Sequence, residues 1–317
     1  MPKRSQPTPP FLWDNHSLYE LCAQNPPRDA KLLRAIHSWV PRFSEPGSSR
    51  SKRAKPLTLA EDFCGTAALS RAWCDLAPNF SAVATDIHAP TLARAKQLSA
   101  SYDRIKLIRA DVRKVNDPAD LIAVLNFSIC ELHARRDLVA YFKHARARLA
   151  KRKGGGGTLI CDLYGGADSY QTGLLDQTIS PPRDHPAAKD RILYSWEQRT
   201  ADPLTARVVN AMHFDVTSGF GYPAGPRRAD SAPPERTQPR SASRPPHQVF
   251  LDAFVYDWRL WTIPELREAM HEVGFKHTSV YPRTAGATDP EGNLYTRPIE
   301  DPTELEEAFN VFVAASM

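Results

Sequence analysis

The strongest constraint on this chain is a rhythm of acids. Short apolar runs end in carboxylates at Glu61-Asp62, at Asp86 and at Asp111, with equal spacing between Glu61, Asp86 and Asp111. The runs cover 57–63, 80–85 and 105–110, and each reads as a strand. Between them Leu69, Trp73 and Leu76, and then Leu92, Ala95 and Leu98 after Pro90, recur at helical spacing. Alternation on this scale predicts parallel strands joined by helical crossovers.

The alternation continues. Leu121-Ile-Ala-Val-Leu-Asn-Phe127 is an unbroken apolar run, as expected for a central strand covered on both faces. Leu138, Tyr141, Phe142, Ala145 and Leu149 mark the next helix, Gly154 to Gly157 stop it, and 158–163 is a fifth strand. Beyond Gly166 the pattern changes. Segments 192–198, 206–216 and 248–258 read as strands without intervening helices, an inserted antiparallel flap over 190–260. Tyr222 to His247 carries seven prolines and five arginines with no period, and is expected to be an unstructured loop. Thr262-x-x-Glu265 is a capping box for a helix burying Leu266, Met270 and Val273, with Gly274 at its end and Phe275 behind it. Segments 277–281 and 309–314 supply a last strand pair. The expected fold is α/β: a Rossmann-like doubly wound seven-stranded sheet, with the antiparallel β flap inserted and a helical segment at the amino end.

The boundaries follow. Residues 1–10 form a disordered tail, and 11–45 a helical cap with Leu18, Leu21 and Cys22, then Leu32, Leu33, Ile36 and Trp39, at helical spacing. Residues 46–53 are a linker, 56–166 the cofactor-binding half, and 261–317 the completion of the sheet. No apolar run reaches the ~20 residues needed to cross a bilayer, and no apolar stretch follows the basic residues at the start, so neither membrane nor secretory signal is expected. Five cysteines without a C-x-x-C pair suit reduced thiols in a cytoplasmic protein and no metal site. The net charge of +5 is concentrated at 2–4, 50–55 and 227–244, in Pro/Ser-rich surroundings that suit solvated segments better than a nucleic-acid groove.

In a doubly wound sheet, ligands bind beyond the carboxyl ends of the strands where the strand order reverses. Gly65 lets the first turn pass close to a ligand. One acid at such a point is commonly a helix N-cap, but three in register at consecutive strand ends describe a nucleoside-binding edge. Glu61 or Asp62 suits a cationic group, Asp86 the two ribose hydroxyls and Asp111 an adenine amine. Phe63-Cys-Gly-Thr-Ala67 has a single glycine, which argues against the pyrophosphate of a dinucleotide. A methionine moiety, with its amino group, carboxylate and sulfonium, fits better, and S-adenosylmethionine is the expected cofactor.

These residues resemble the class I S-adenosylmethionine-dependent methyltransferases over nearly the whole chain. Glu61-Asp-Phe-Cys-Gly-Thr-Ala67 departs from the usual Asp/Glu-x-Gly-x-Gly-x-Gly at two of the three glycines. It is more similar to an uncharacterised bacterial subgroup with an E-D-F-C-G-T first motif. Asn126-Phe-Ser128, Trp196-Glu-Gln198, Asp202-Pro-Leu-Thr205, His213-Phe214, 254–266 and Gly274-Phe275 are similar to that subgroup too. The resemblance implies a methyltransferase with Glu61, Gly65, Asp86, Asp111 and Asn126 at the cofactor. Candidate bases are Glu131, His133, Asp162 and Tyr164, each also suited to a capping or surface role. His213 is expected to pack within the flap, as are most of Trp196, Tyr256, Trp258 and Trp261, while Trp13, His16 and Tyr19 suit a lid or simple packing. Asn126-Phe-Ser-Ile129 lacks the two prolines with which base-flipping amine methylases hold a nucleobase. A small-molecule acceptor is therefore expected ahead of nucleic acid or protein. A non-catalytic nucleoside-binding interaction protein, using 222–247 to hold partners, is the alternative.

Overall fold

The computed structural model describes residues 11–39, 57–151, 156–219 and 247–317. The expected tail at 1–10, the linker at 46–53 and loop residues 222–246 lie outside them. The elements run α1 Asn15–Cys22, α2 Pro26–Trp39, β1 Thr58–Asp62, α3 Ala68–Asp75, β2 Ser81–Asp86, α4 Ala89–Leu98, β3 Ile105–Arg109, β4 Leu121–Val124, α5 Arg135–Arg148 and β5 Thr158–Gly165. They continue with β6 Gly173–Ile179, β7 Arg191–Asp202, β8 Arg207–Thr217, β9 His247–Arg259, α6 Ile263–Glu272, β10 His277–Pro282, β11 Ala287–Thr288, β12 Leu294–Tyr295 and β13 Phe309–Ser316. The chain divides into two compact units, one of 1–23, 172–200 and 209–256, the other of 24–171, 201–208 and 257–317. Thus α1 and α2, read together as one cap in the sequence, fall in different units.

The larger unit holds a seven-stranded sheet in the order β10-β13-β5-β4-β1-β2-β3. Strands β1 to β5 are mutually parallel, and β13 runs antiparallel to both neighbours. The order reverses between β1 and β4, where a ligand crevice opens in such sheets. Leu32, Leu33 and Ile36 of α2 and Leu69 and Trp73 of α3 share one buried cluster with Leu59, Leu121, Ala123, Ile160, Phe312 and Ala314 of the sheet. Apolar residues at helical spacing thus cover one sheet face, as the pattern predicts.

Strand β1 is fixed on both faces because successive side chains point opposite ways. Asp62 is buried beneath α5, where its carboxylate receives Arg148 Nη1 at 2.8 Å and the Tyr141 hydroxyl at 2.9 Å. Burial pushes the Asp62 carboxyl up and the Arg148 charge opposes it. Asp62 is therefore part of the core and is not available to a ligand. Helix α6 begins at the expected Thr262–Glu265 capping box. It ends at Gly274, where the Gly274 and Phe275 amides return to the His271 and Met270 carbonyls.

The smaller unit contains the β6-β7-β8-β9 sheet, to which β7 to β9 also contribute residues of the larger unit. Helix α1 buries Leu18 in one cluster with Trp13, Ile192, Met212, Phe214 and Val216. The Trp13 indole donates to Asp190 at 2.8 Å and stacks on His185, and Tyr19 and His16 lie against Phe254. These aromatics pack within the smaller unit. His213 bonds to Glu197 and to the Asp252 amide within the same unit.

The structure differs from the sequence reading at several points. Strand β4 stops at Val124, short of Phe127, because Asn126 and Phe127 turn left-handed. His247 begins β9 instead of ending a loop. Strand β6 has no counterpart in the sequence pattern, because it is exposed along nearly its whole length and is held by its ladder to β7. Asp62→Asn is expected to lower the unfolding free energy by about 3–5 kcal/mol by stranding Arg148, and Tyr141→Phe by about 1 kcal/mol. Urea unfolding measures both, and a loss below 1 kcal/mol for the first would show that the pair does not anchor β1.

Candidate functional site

Glu61, one residue before Asp62, points to the other sheet face. Its carboxylate accepts the Ser70 amide at 2.8 Å and the Ser70 hydroxyl at 2.5 Å, which binds it to the first turn of α3. Burial pushes its pKa up to about 7 against the pull of those bonds and of Arg71.

The loop between Glu61 and α3 is left-handed at three alternate positions: Phe63 at φ +59°, Gly65 at +52° and Ala67 at +58°. These are the three positions at which Asp/Glu-x-Gly-x-Gly-x-Gly carries glycine. The departure of this chain from that pattern changes the residues and leaves the left-handed conformation in place, with two non-glycine residues carrying strain of about 1–2 kcal/mol each. Bonds to its neighbours hold the loop. The Cys64 amide donates to the Thr85 carbonyl at 2.9 Å and the Gly65 amide to Asp86 Oδ2 at 2.8 Å. The Ala67 amide closes onto the Cys64 carbonyl at 2.8 Å, and Arg71 reaches the Thr66 carbonyl at 2.6 Å. The Phe63 ring turns away to the edge of Tyr141.

Asp86 ends β2 and uses each oxygen once, Oδ2 for Gly65 and Oδ1 for the His88 amide at 2.8 Å. A carboxylate offers about four lone-pair positions, so it retains acceptor capacity. Asp111 lies two residues beyond Arg109, the partner of Asp86 on β3. It accepts the Arg113 amide and is gripped by the Arg113 guanidinium, with Nη2 at 2.7 Å from Oδ2. That grip holds its carboxyl below the usual range. Glu61, Gly65 and Asp86 are thus joined at the ends of β1 and β2, while Asp111 is committed to a neighbouring arginine.

Asn126 and Phe127 follow β4 with φ of +59° and +61°. Their amides donate to the two oxygens of buried Asp162, at 2.8 Å and 2.7 Å. Asp162 also receives Arg283 Nη1 at 2.6 Å, and burial pushes its pKa up to about 6. Phe127 packs against Tyr164 and Trp258, with ring centroids 4.9 Å and 5.9 Å away. The Trp258 indole donates to Glu131 at 2.8 Å, and His133 bonds the Asp257 carbonyl at 2.6 Å. All four candidate bases have structural partners, Tyr164 among them through its ring contacts with Phe127 and Trp258. Sequence reasoning missed Ser70 and Arg283. A serine in the first turn of the helix facing Glu61 was the available signal for one; Arg283 has none in the local pattern.

No protein-family model and no curated protein matches the chain. Solved structures do. An S-adenosylmethionine-bound amino pentose methyltransferase of calicheamicin biosynthesis, from Micromonospora echinaspora, is 13% identical with a TM-score of 0.58, and the match covers 98% of this chain and 100% of the other. A sugar N-methyltransferase from a Streptoalloteichus species is 12% identical with a TM-score of 0.54, covering 100% and 98%. An S-adenosylmethionine-dependent methyltransferase from Clostridium acetobutylicum is 16% identical with a TM-score of 0.54, covering 95% and 96%. The chain shares their Rossmann-like methyltransferase fold.

A Cβ built on Gly65 meets nothing closer than Thr91 Cγ2 at 3.9 Å, so the obstacle to a side chain there is the positive φ. Gly65→Ala is expected to cost about 1–2 kcal/mol of stability and to leave the protein folded. Cofactor affinity is expected to fall further than that strain accounts for. Thermal unfolding and calorimetric titration of the same variant separate the two effects.

Proposed function

We propose that the chain is an S-adenosylmethionine-dependent methyltransferase of the subgroup with an E-D-F-C-G-T first motif, acting on a small molecule by direct displacement. The observation that carries this reading is the first loop. It is left-handed at all three glycine positions of the methyltransferase motif and is tied through Gly65 to Asp86 at the next strand end.

The residues present fit the cofactor. Asp86 has acceptor capacity for two ribose hydroxyls, and Gly65 brings bare backbone beside it. Glu61 supplies negative charge for the cationic methionine moiety. Ala67, at the N-cap of α3, contributes no capping side chain, so the first amides of that helix suit a carboxylate. Asn126, just after β4, is a further cofactor contact on the strength of the Asn126-Phe-Ser128 resemblance. Asp111 serves an adenine amine only by sharing lone pairs that Arg113 already occupies, so its contribution is small.

Bound S-adenosylmethionine supplies a methyl group on a good leaving group. The protein's work is alignment and exclusion of water. Phe127 and Tyr164, half-buried at the ends of β4 and β5 and backed by the buried Trp258, suit one apolar face of a small acceptor, oriented by stacking. Small-molecule acceptors among the neighbours of similar fold, an amino pentose and a sugar amine, support the same class. A base is required only where the acceptor must shed a proton, and Tyr164 is the candidate base beside it.

Calorimetry with S-adenosylmethionine, S-adenosylhomocysteine and NADH tests the cofactor; no binding of the first two, or tighter NADH, would sink the reading. Asp86→Ala is expected to weaken S-adenosylmethionine by about a hundredfold or more, and Asp111→Ala by less than about fivefold. Affinity should also depend on pH. A cationic ligand favours ionised Glu61, so binding releases a proton and strengthens as pH rises through about 7. The expected gain from pH 6 to 8 is about tenfold. Glu61→Gln should flatten that rise, and a variant with the wild-type pH profile would remove Glu61 from the cationic side.

A further inference from the structure

The turn after β4 is shaped by a side chain distant in sequence. Two consecutive residues, one of them the bulky Phe127, are left-handed without glycine, a conformation that persists only where the surroundings impose it. The imposing group is Asp162, with a side chain only 1% exposed. Strand β4 ends at Val124, paired with Cys161, so β5 runs on beneath the turn and places Asp162 under it. Each of its oxygens takes one amide of the turn.

A carboxylate buried this completely needs a countercharge to stay ionised. Arg283, just after β10, provides it. One nitrogen meets Asp162 at 2.6 Å, the other reaches Asp29 of α2 at 3.3 Å, and the guanidinium lies 4.7 Å from the centre of the Phe312 ring. Asp29 is 4% exposed at its side chain, so Arg283 stands between two buried carboxylates. Were Asp162 protonated, one oxygen would become a hydroxyl, a weaker acceptor for its turn amide, and the charge assistance to both amides would be lost.

We propose that Arg283 is a positioning residue of the site: through Asp162 it holds the Asn126–Phe127 turn, and with it the candidate cofactor residue Asn126 and the Phe127 ring, in the left-handed form that binding requires. The effect on binding rests on the methyltransferase reading; the effect on the turn does not.

Amide hydrogen exchange and calorimetry on the full chain test this. In Arg283→Met the Asn126 and Phe127 amides are expected to exchange about thirtyfold faster or more, while Val83 and Ala84 in β2 keep wild-type rates. S-adenosylmethionine affinity is expected to fall about tenfold, as the competent turn becomes a minor population. Arg283→Lys keeps the charge and should recover most of the protection. Asp162→Asn preserves volume and should reproduce the local acceleration should Arg283→Met fold poorly. Wild-type exchange at the turn in both variants, or equal acceleration across β2, would overturn the proposal. A wild-type protein that binds no S-adenosylmethionine would overturn the cofactor reading instead, and exchange alone then decides the role of Arg283.

Discussion

A carboxylate withdrawn from water has to be met by donors, and at the carboxyl edge of this sheet most of those donors are backbone amides. Asp86 takes the amides of Gly65 and His88, Glu61 that of Ser70, and Asp162 those of Asn126 and Phe127. The interaction works in both directions. Two left-handed residues cost about 2–4 kcal/mol, while two charge-assisted hydrogen bonds contribute about 3–6 kcal/mol. The turn after β4 is therefore held by the same bonds that keep Asp162 satisfied, and neither would persist without the other. The result is a crevice rim whose backbone path is set by acids lying beneath it.

The rim stands on a rigid base because the two acids that end β1 point to opposite faces. Glu61 secures α3, while Asp62 secures α5 through Arg148 and Tyr141. A one-residue change of register in β1 would exchange these partners and bury both charges wrongly. The same register places the loop that starts at Phe63 beside Asp86, since Asp62 pairs with Thr85 on β2. Fold specification and site geometry are thus one constraint at this strand end.

Much of this was legible in the sequence, for identifiable reasons. The strands β1 to β3 and the acids that close them follow from apolar periodicity and local spacing, and the helix at Ile263 from its capping box. The glycine positions were legible only as a motif. That Phe63 and Ala67 still adopt the glycine conformation depends on Asp86, Arg71 and Cys64 acting together, which no local pattern encodes. Strand β6 escaped because its stability comes from main-chain pairing, which leaves no apolar signature. Arg283 escaped because its partners, Asp29 and Asp162, are far from it in the chain. Asp111 shows the converse. A strand-end acid can be read as a ligand contact, and local spacing alone does not show that an arginine two residues on also bonds it.

Buried acids at a binding edge also set how stability depends on pH. Glu61 and Asp162 have folded values of about 7 and about 6, raised by burial from ordinary values of 4.5 and 3.8. A raised value means that the folded state holds the proton more tightly than the unfolded chain does. Their contribution to stability is present in full below about pH 4 and is lost as pH rises through the folded values. Asp111, whose value is lowered by Arg113, works oppositely and loses its contribution as pH falls through its folded value. At neutral pH Asp162 is ionised at a cost that Arg283 offsets within the protein. Among the described residues Glu61 has the Ser70 bonds and the nearby Arg71 charge but no ion pair at contact distance, and burial outweighs them. On the proposed reading, a positively charged ligand bound beside Glu61 would favour its ionised form, so cofactor binding and the charge at this strand end are coupled.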